Sequence, residues 1–157
     1  IELIEKYTSI EAEIRKECPI KIRLNMVEVD CSEINKLLRK ECDEIVFLLI
    51  NSVLKSNFER GKAVYQKFED INNQLVQKAD SEEKLVEIES FKNTCRDTTI
   101  PNLFEEYNDV KEWYKMLYNY PYNISEEDLG SLKQCSFWVM KIWPTMQEVE
   151  LRLQSER

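Results

Sequence analysis

The chain has 157 residues, of which 43% are hydrophobic and 33% are charged, a balance that is typical of a folded soluble protein. Its glycine and proline counts (Gly 2, Pro 4) are too low for a β-sandwich or barrel, so the composition favours long helices. The net charge is -8 and the basic residues are dispersed, which disfavours binding to nucleic acid or to an anionic membrane surface.

Histidine is absent from the chain. This removes the catalytic triads and dyads that use histidine, the His-Glu-x-x-His zinc sites and the di-iron sites of ferritin-like bundles. The only glycines, Gly61 and Gly130, cannot form a phosphate-binding P-loop or a dinucleotide-binding turn. The acidic residues fall on the polar faces of predicted helices, which is typical of a solvated surface. We therefore expect no catalytic, cofactor-binding or metal site in this chain.

The sequence begins at Ile1 without an initiator methionine, so we expect a piece of a longer protein. Its longest apolar run, residues 45–50, is far too short to span a membrane. No basic start followed by an apolar core marks a signal peptide. The chain has 5 cysteines, an odd number, which lie far apart in the sequence and include no Cys-x-x-Cys pair. We expect reduced thiols in a cytoplasmic protein.

The first predicted element is a helix over residues 2–17. Leu3, Tyr7, Ile10 and Ile14 follow one another at steps of four, three and four residues. That spacing places them on one apolar stripe of a helix.

The next segment departs from the helical pattern. Ile20, Ile22, Leu24 and Met26 alternate with polar residues, which is the period-two pattern of an extended strand. A single strand needs a partner, and the sequence shows no obvious second one. We therefore expect residues 20–29 to pack along the bundle as an extended segment, or to pair with a strand elsewhere in the full protein.

A long helix is predicted over residues 32–78. Apolar residues are densest over residues 34–58, so two or more sides of that part should be covered. A single apolar stripe continues over residues 64–75. Gly61 is the position at which we expect a bend or a break, because glycine weakens a helix interior.

The helix starts are marked by short side chains with an oxygen acceptor. Such side chains accept bonds from free backbone N–H groups and typically stabilise a helix by about 1 kcal/mol each. The residues with this role are Asp30, Asp80, Thr99 (before Ile100-Pro101) and Ser125. Residues 120–124 form a turn. The later helices are predicted over residues 81–96, 100–119, 125–142 and 144–157.

Pro144 interrupts an otherwise helical stretch that carries two tryptophans. Its ring excludes a normal bond to the preceding turn, so we expect a kink or a fresh helix start there. Trp138 and Trp143 have large apolar surfaces and are typical of core anchors. A sharper interpretation is that Trp138, Trp143 and Pro144 form a stiff structural joint between two mechanical elements.

Together these elements predict a mainly all-α fold, an elongated helical bundle with one short strand-like segment near residues 20–29. Residues 1–142 would form the bundle, and residues 143–157 would begin a following helical element. The same apolar spacing is typical of an ordinary helical core and of a rod, so period alone does not separate these two.

Three stretches carry a family resemblance. The extended run Pro-Ile-Lys-Ile-Arg-Leu-Asn-Met-Val-Glu-Val-Asp-Cys at residues 19–31 leads into the apolar helix that starts at residues 32–38. The capped acidic start Ala-Asp-Ser-Glu-Glu-Lys-Leu-Val-Glu-Ile occupies residues 79–88. The corner Lys-Ile-Trp-Pro-Thr-Met at residues 141–146 precedes a charged helix over residues 151–157. In this order and spacing they resemble the tail of a dynein heavy chain of the axonemal type, over almost the whole chain.

The resemblance implies a structural, force-transmitting tail or stem segment that leads into the motor's linker. The parent would be a microtubule-motor ATPase of the ciliary axoneme, with its ATP sites outside these residues. The implied partners are the linker and motor of the same heavy chain, dynein intermediate or light chains, and neighbouring axonemal proteins. The implied location is the cytoplasm and cytoskeleton, in the axoneme of a cilium or flagellum. Asn25 stands where the family often has glycine, although Asn also tolerates left-handed backbone.

The alternative is a spectrin-repeat-like helical scaffold or adaptor module of another cytoskeletal protein. The predicted helices are unequal in length, and no internal repeat of the expected period occurs, which argues against this class.

Overall fold

A computed structural model describes residues 1–156 and confirms the mainly all-α fold. The described chain forms two compact units, Ile1–Leu54 and Lys55–Arg157, and helix α2 contributes to both. In chain order the elements are α1 (Glu2–Glu17), β1 (Lys21–Leu24), β2 (Val27–Asp30), α2 (Ser32–Leu75), α3 (Glu82–Thr94), a π-helical turn (Cys95–Thr99), α4 (Ile100–Leu117) and α5 (Gly130–Glu156).

In the first unit, α1 packs antiparallel against the start of α2. Arg39 of α2 donates to the Glu11 carboxylate of α1 at 2.8 Å, and Asn35 donates to the Pro19 carbonyl at 3.2 Å. Arg15 also donates to Glu11, at 2.8 Å. The bond from Arg39, and then the bond from Arg15, lower the pKa of the Glu11 carboxyl. Helix α1 is thereby held to α2 by a charged pair, and the side chain of Ile4 in α1 is buried.

The strand-like segment has its partner within the chain, so the prediction that a partner lies elsewhere is wrong. β1 and β2 form an antiparallel hairpin in which Ile22 faces Val29 and Leu24 faces Val27. The turn residue Asn25 has φ 55, the left-handed conformation that Asn tolerates better than most residues. All side chains of both strands are exposed in the described chain.

Helix α2 begins at the predicted residue and ends at Leu75, three residues before the predicted end. The Asp30 carboxylate accepts a bond from the Ser32 backbone N–H at 2.9 Å. A side-chain hydrogen bond with Ser32, and then this backbone bond, lower the pKa of the Asp30 carboxyl. Its 44 residues correspond to about 66 Å of helix at the standard rise.

The apolar residues near the start of α2 are covered on one side rather than two. Cys42, Ile50 and Leu54 are buried. In the same part of α2, the exposed large apolar side chains include Ile34, Leu37, Leu38, Phe47 and Leu48. The prediction that two or more sides of this part are covered is therefore wrong for the part of the chain that the structure describes.

Gly61 does not break α2, which continues through it as one helix. Its missing side chain instead lets α5 approach closely. A Cβ atom at position 61 would lie 2.6 Å from Ser131 Oγ, and the Cys135 thiol of α5 donates to the Gly61 carbonyl at 3.1 Å. A glycine that sequence propensity marks as a helix breaker is therefore a site of helix–helix contact.

The second unit is a three-helix arrangement built from the end of α2, from α3 with α4, and from α5. α4 runs antiparallel to α2, because Asn57 donates to the Val110 carbonyl at 3.0 Å and Lys67 pairs with Glu106 at 2.9 Å. The buried core includes Val64, Phe68, Ile71, Leu75, Ile88, Cys95, Ile100, Leu103, Cys135, Trp138, Ile142, Met146, Val149 and Leu153.

The helices predicted over residues 81–96 and 100–119 join through the π-helical turn, so the predicted helix start at Thr99 is wrong. Thr99 has helical backbone and its side chain makes no cap bond. The Ile100 N–H donates to the Cys95 carbonyl, five residues back. Because Pro101 has no N–H and its ring crowds the preceding turn, a widened turn lets the helix continue through it.

Two other helix starts differ from the predictions by a few residues. The N-cap of α3 is Ser81 rather than Asp80, and the Ser81 hydroxyl accepts the Lys84 N–H at 3.3 Å. Ser125 and Asp128 bond reciprocally, at 3.0 Å and 3.1 Å, in a turn that precedes the first residue of α5. This is the capping-box arrangement, placed one turn ahead of the assigned helix.

Candidate functional site

The predicted joint lies within α5, which continues without interruption through Pro144. The prediction of a fresh helix start at Pro144 is therefore wrong, whereas the alternative prediction, a kink there, stays a prediction. A proline in a helix interior costs about 3 kcal/mol. Residues before and after it, Ile142 and Met146, are buried in one core, and full burial of each such side chain contributes about 1.5–3 kcal/mol. Packing on both sides therefore outweighs the cost of the proline. Whether residues 143–157 begin a following element of a longer chain stays a prediction.

The backbone near Pro144 has fewer helical bonds than an ordinary turn. Pro144 has no N–H, so the Met140 carbonyl loses its usual donor four residues on. The Thr145 hydroxyl donates to the Lys141 carbonyl at 3.1 Å, a side-chain bond that often accompanies helix bending. Pro144 itself is exposed, so the weakened bonding lies on the outer side of α5.

Trp138 is a core anchor, as one of the two interpretations predicts. Its side chain is buried, and its ring meets the Phe137 ring edge-on with centroids 5.7 Å apart. The Lys141 ammonium lies 4.8 Å from the Trp138 ring centroid and 5.4 Å from that of Phe137. This position allows a cation–π interaction that covers the outer edge of the Trp138 ring.

Trp143 lies on a different side of α5 and is 40% exposed. Five residues along a helix correspond to a rotation of about 140°, so the two tryptophans do not form one cluster. The Trp143 ring lies 6.2 Å from Phe104 of α4, which in turn lies 6.1 Å from Phe68 of α2. These three aromatic side chains link the three helices of the second unit.

A further attachment joins α5 to the C-terminal end of α2, and the sequence analysis did not predict it. Arg152 of α5 donates to the carbonyls of Leu75 at 2.7 Å, Val76 at 3.1 Å and Gln77 at 3.1 Å. The last carbonyls of a helix have no internal donor, so the guanidinium acts as a C-terminal cap for α2. Nothing in the local sequence around Arg152 indicates which carbonyls it reaches.

Helix α5 is also tied to α3. The Lys92 side chain is buried, and its ammonium lies 3.3 Å from the Glu150 carboxylate. A buried ammonium needs a partner, so removal of Glu150 would leave an uncompensated charge.

Helices α2 and α5 run in the same direction and are joined at two levels. Cys135 contacts Gly61 at the first level, and Arg152 contacts Leu75 at the second. The two levels are separated by 14 residues on α2, or about 21 Å of helix. A pull along one helix would load these attachments together in shear.

Chemical reactivity in this unit is low at the buried thiols. Burial raises the pKa of the Cys135 thiol to about 11, and burial also raises the pKa of Cys95. Both are therefore protonated at neutral pH, and the thiolate is the reactive form. Within residues 1–156, no group of three or more Cys, Asp and Glu side chains is placed to hold a metal ion. No helix in that range combines the length and apolar character needed to cross a membrane.

Comparison with known proteins gives one informative similarity. No family model matches the chain. Over 150 residues, which is 94% of its length, the chain is 23% identical to dynein axonemal heavy chain 12 of Homo sapiens. The chain spans 5% of the human protein's length. It is thus similar, at low identity, to one short segment of a dynein heavy chain, and the activity and partners of that whole protein enter below only as proposals.

Proposed function

We propose that this chain is a structural, force-transmitting tail or stem segment of an axonemal dynein heavy chain, a microtubule motor of the ciliary axoneme. The observation that carries the proposal is the similarity to dynein axonemal heavy chain 12 of Homo sapiens over 94% of the chain. The proposed location is the cytoskeleton of a cilium or flagellum.

The arrangement of the second unit supports a mechanical role. Force transmission requires that a load on one helix reaches its neighbours before any single contact fails. The Gly61–Cys135 and Leu75–Arg152 attachments join α2 and α5 at two levels, and Lys92–Glu150 adds α3. A load along α2 is therefore shared by contacts that act in parallel.

We propose that the segment itself is not catalytic and binds no cofactor. The sequence contains no histidine and only 2 glycines, so it lacks the histidine ligands of many metal sites and the glycine-rich loops of many nucleotide sites. ATP hydrolysis would belong to other parts of the heavy chain. The proposed partners are the linker and motor of that chain, and dynein intermediate or light chains or neighbouring axonemal proteins.

A scaffold or adaptor module is the second candidate, because the up-down-up path of α2, α3 with α4, and α5 is also typical of spectrin-like repeats. The two candidates differ in what accompanies the segment. A scaffold would carry further copies of the same three-helix pattern. A dynein tail would be followed by a linker and a series of nucleotide-binding modules.

The coding sequence that surrounds this segment tests the proposal directly. Sequencing of the full-length transcript should reveal a linker shortly after residue 157 and several P-loop motifs far downstream. Tandem repeats of the segment, with no P-loop, would contradict the dynein proposal and support the scaffold. ATP hydrolysis by the purified 157-residue chain would contradict its non-catalytic role.

A further inference from the structure

The first unit buries few of its apolar side chains. In the described chain, its buried apolar side chains are Ile4, Cys42, Ile50 and Leu54. The core of the second unit is much larger. Burial of apolar surface is the main term that offsets the conformational entropy lost on folding. The first unit therefore has less to offset that loss than the second unit has.

Helix α1 and the β1–β2 hairpin have little of their own to stabilise them. α1 has 16 residues, of which Ile4 is buried, and isolated helices of about that length are marginal in water. An isolated two-stranded hairpin is also marginal, and all side chains of both strands are exposed. The ion pairs of Glu28 with Lys21 and Arg23 are exposed as well, so they contribute little. Both elements therefore depend on their contacts with α2.

The polar contacts with α2 are made by its side chains. Arg39 donates to the Glu11 carboxylate at 2.8 Å, and Asn35 donates to the Pro19 carbonyl at 3.2 Å. The backbone hydrogen bonds of α2 are internal to the helix. Both contacts can therefore break while α2 stays helical.

Cys42 marks the side of α2 that α1 covers. It follows Arg39 by three residues, which places both on one side of the helix. Its side chain is 8% exposed, so displacement of α1 would uncover the thiol. Cys95 and Cys135 are buried too, but they lie in the second unit. Each unit thus contains a buried thiol that can report its opening separately.

We infer that α1 and the hairpin form a strap over one side of α2, and that this strap opens while the second unit stays folded. Proteins open locally in cooperative units, and the units with few buried apolar contacts open most readily. In the open state the strap is detached, α2 remains helical through the second unit, and the Cys42 thiol is accessible. This inference does not depend on the proposed function, because it holds whether the parent chain is a dynein or a scaffold.

Alkylation of the 157-residue chain by iodoacetamide tests the inference. Peptide mass spectrometry gives the labelling rate of each cysteine, and each rate is divided by the rate of the same cysteine in the urea-unfolded chain. We expect the normalised rate of Cys42 to exceed those of Cys95 and Cys135 by about 100-fold or more. Amide hydrogen exchange should show the same order, with α1 and the two strands less protected than α4 and α5 by a similar factor.

Two variants of neighbouring residues in α1 separate the strap from the rest of the chain. Ile4→Ala removes the buried side chain of the strap and should raise the normalised rate of Cys42 by about tenfold or more. The rate of Cys135 should stay within about twofold of its value in the unaltered chain, because the two sites open independently. Leu3→Ala is the matched control, and it should leave both rates unchanged because Leu3 is 55% exposed.

Three results would overturn the inference. Equal normalised rates for Cys42, Cys95 and Cys135 in the unaltered chain would show that both units unfold together. A Cys42 rate as fast as in the unfolded chain would show that the strap is not closed over α2. An Ile4→Ala effect that is as large at Cys135 as at Cys42, or that Leu3→Ala reproduces, would show that Ile4 does not hold a separate strap.

Discussion

Replacing Gly61 with alanine should destabilise the second unit, although the same change in an open helix would stabilise it. In a helix interior, alanine is favoured over glycine by about 1 kcal/mol. Here the new Cβ would lie 2.6 Å from Ser131 Oγ and 3.0 Å from Ser131 Cβ. Ser131 is 1% exposed, so it has little room to move away. Overpacking of a core costs about 1–3 kcal/mol. After about 1 kcal/mol of helix propensity is subtracted, we expect a net loss of up to about 2 kcal/mol.

Urea denaturation followed by tryptophan fluorescence measures this loss. Trp113, Trp138 and Trp143 are the three tryptophans of the chain, and all lie in the second unit. Their fluorescence therefore reports the free energy of unfolding of that unit.

Gly130→Ala is the matched control, because the Cβ at position 130 would meet only Phe58, at an ordinary 3.6 Å. We expect it to leave stability unchanged or to raise it by up to about 1 kcal/mol. Ser131→Ala removes the closest atom, so it should restore part of the stability lost in Gly61→Ala while adding none to the unaltered chain. Equal stability of the Gly61→Ala and Gly130→Ala chains, or the same effect of Ser131→Ala in both backgrounds, would refute the reasoning.

Three further predictions follow from single contacts. Arg152→Met removes three hydrogen bonds to the end of α2 and should lower the free energy of unfolding by about 1–3 kcal/mol in the same urea assay. The control Arg96→Met loses one exposed ion pair and should lower it by less than about 0.5 kcal/mol. Equal losses in the two variants would show that the Arg152 cap contributes nothing to stability. Asn25→Gly should keep the β1–β2 hairpin, whereas Asn25→Val should destabilise it by about 1–2 kcal/mol, because Asn25 has a positive φ. Amide hydrogen exchange of the two strands measures this difference. Unchanged protection of the strands in both variants would contradict the importance of the positive φ. Because burial raises the pKa of Cys135 from 9.0 to about 11, the unfolded chain loses the thiol proton first, and stability from this group is present below pH 9 and lost as the pH rises toward 11. The stability difference between the unaltered chain and Cys135→Ala should therefore fall across that window, and a constant difference would be evidence against it.

The sequence predicted helices well where one apolar stripe was enough to define them. Helix α1 has the predicted bounds, and α2 begins at the predicted Ser32. These elements depend on local spacing and on caps, which are properties of neighbouring residues. The second strand could also have been found, because Val27 and Val29 alternate with Glu28 and Asp30 directly after Asn25 and Met26. The alternation that indicates β2 was therefore present in the sequence, but only two residues separate it from β1, so the two strands together give the pattern of one extended segment.

The breaker residues could not be interpreted from sequence alone. Gly61 and Pro144 both lie inside continuous helices, because packing against other helices outweighs their local cost. The contact between Gly61 and Ser131 joins residues 70 positions apart, and no local pattern relates them. The same holds for Arg152, whose three carbonyl partners precede it by 75 to 77 residues. Of the predicted joint, the sequence identified Trp138 as a core anchor but not the separate position of Trp143.

If the segment belongs to a dynein heavy chain, as proposed, microtubule gliding by that heavy chain tests the central claim most directly. Trp138→Ala removes a buried ring and should destabilise the second unit by about 3–5 kcal/mol, which makes the proposed force path compliant. Val86→Ala, at an exposed position, is the control. We expect Trp138→Ala to slow gliding while the ATPase rate of each motor stays unchanged. Loss of ATPase activity together with gliding, or gliding at the unaltered speed, would contradict a non-catalytic segment that transmits force.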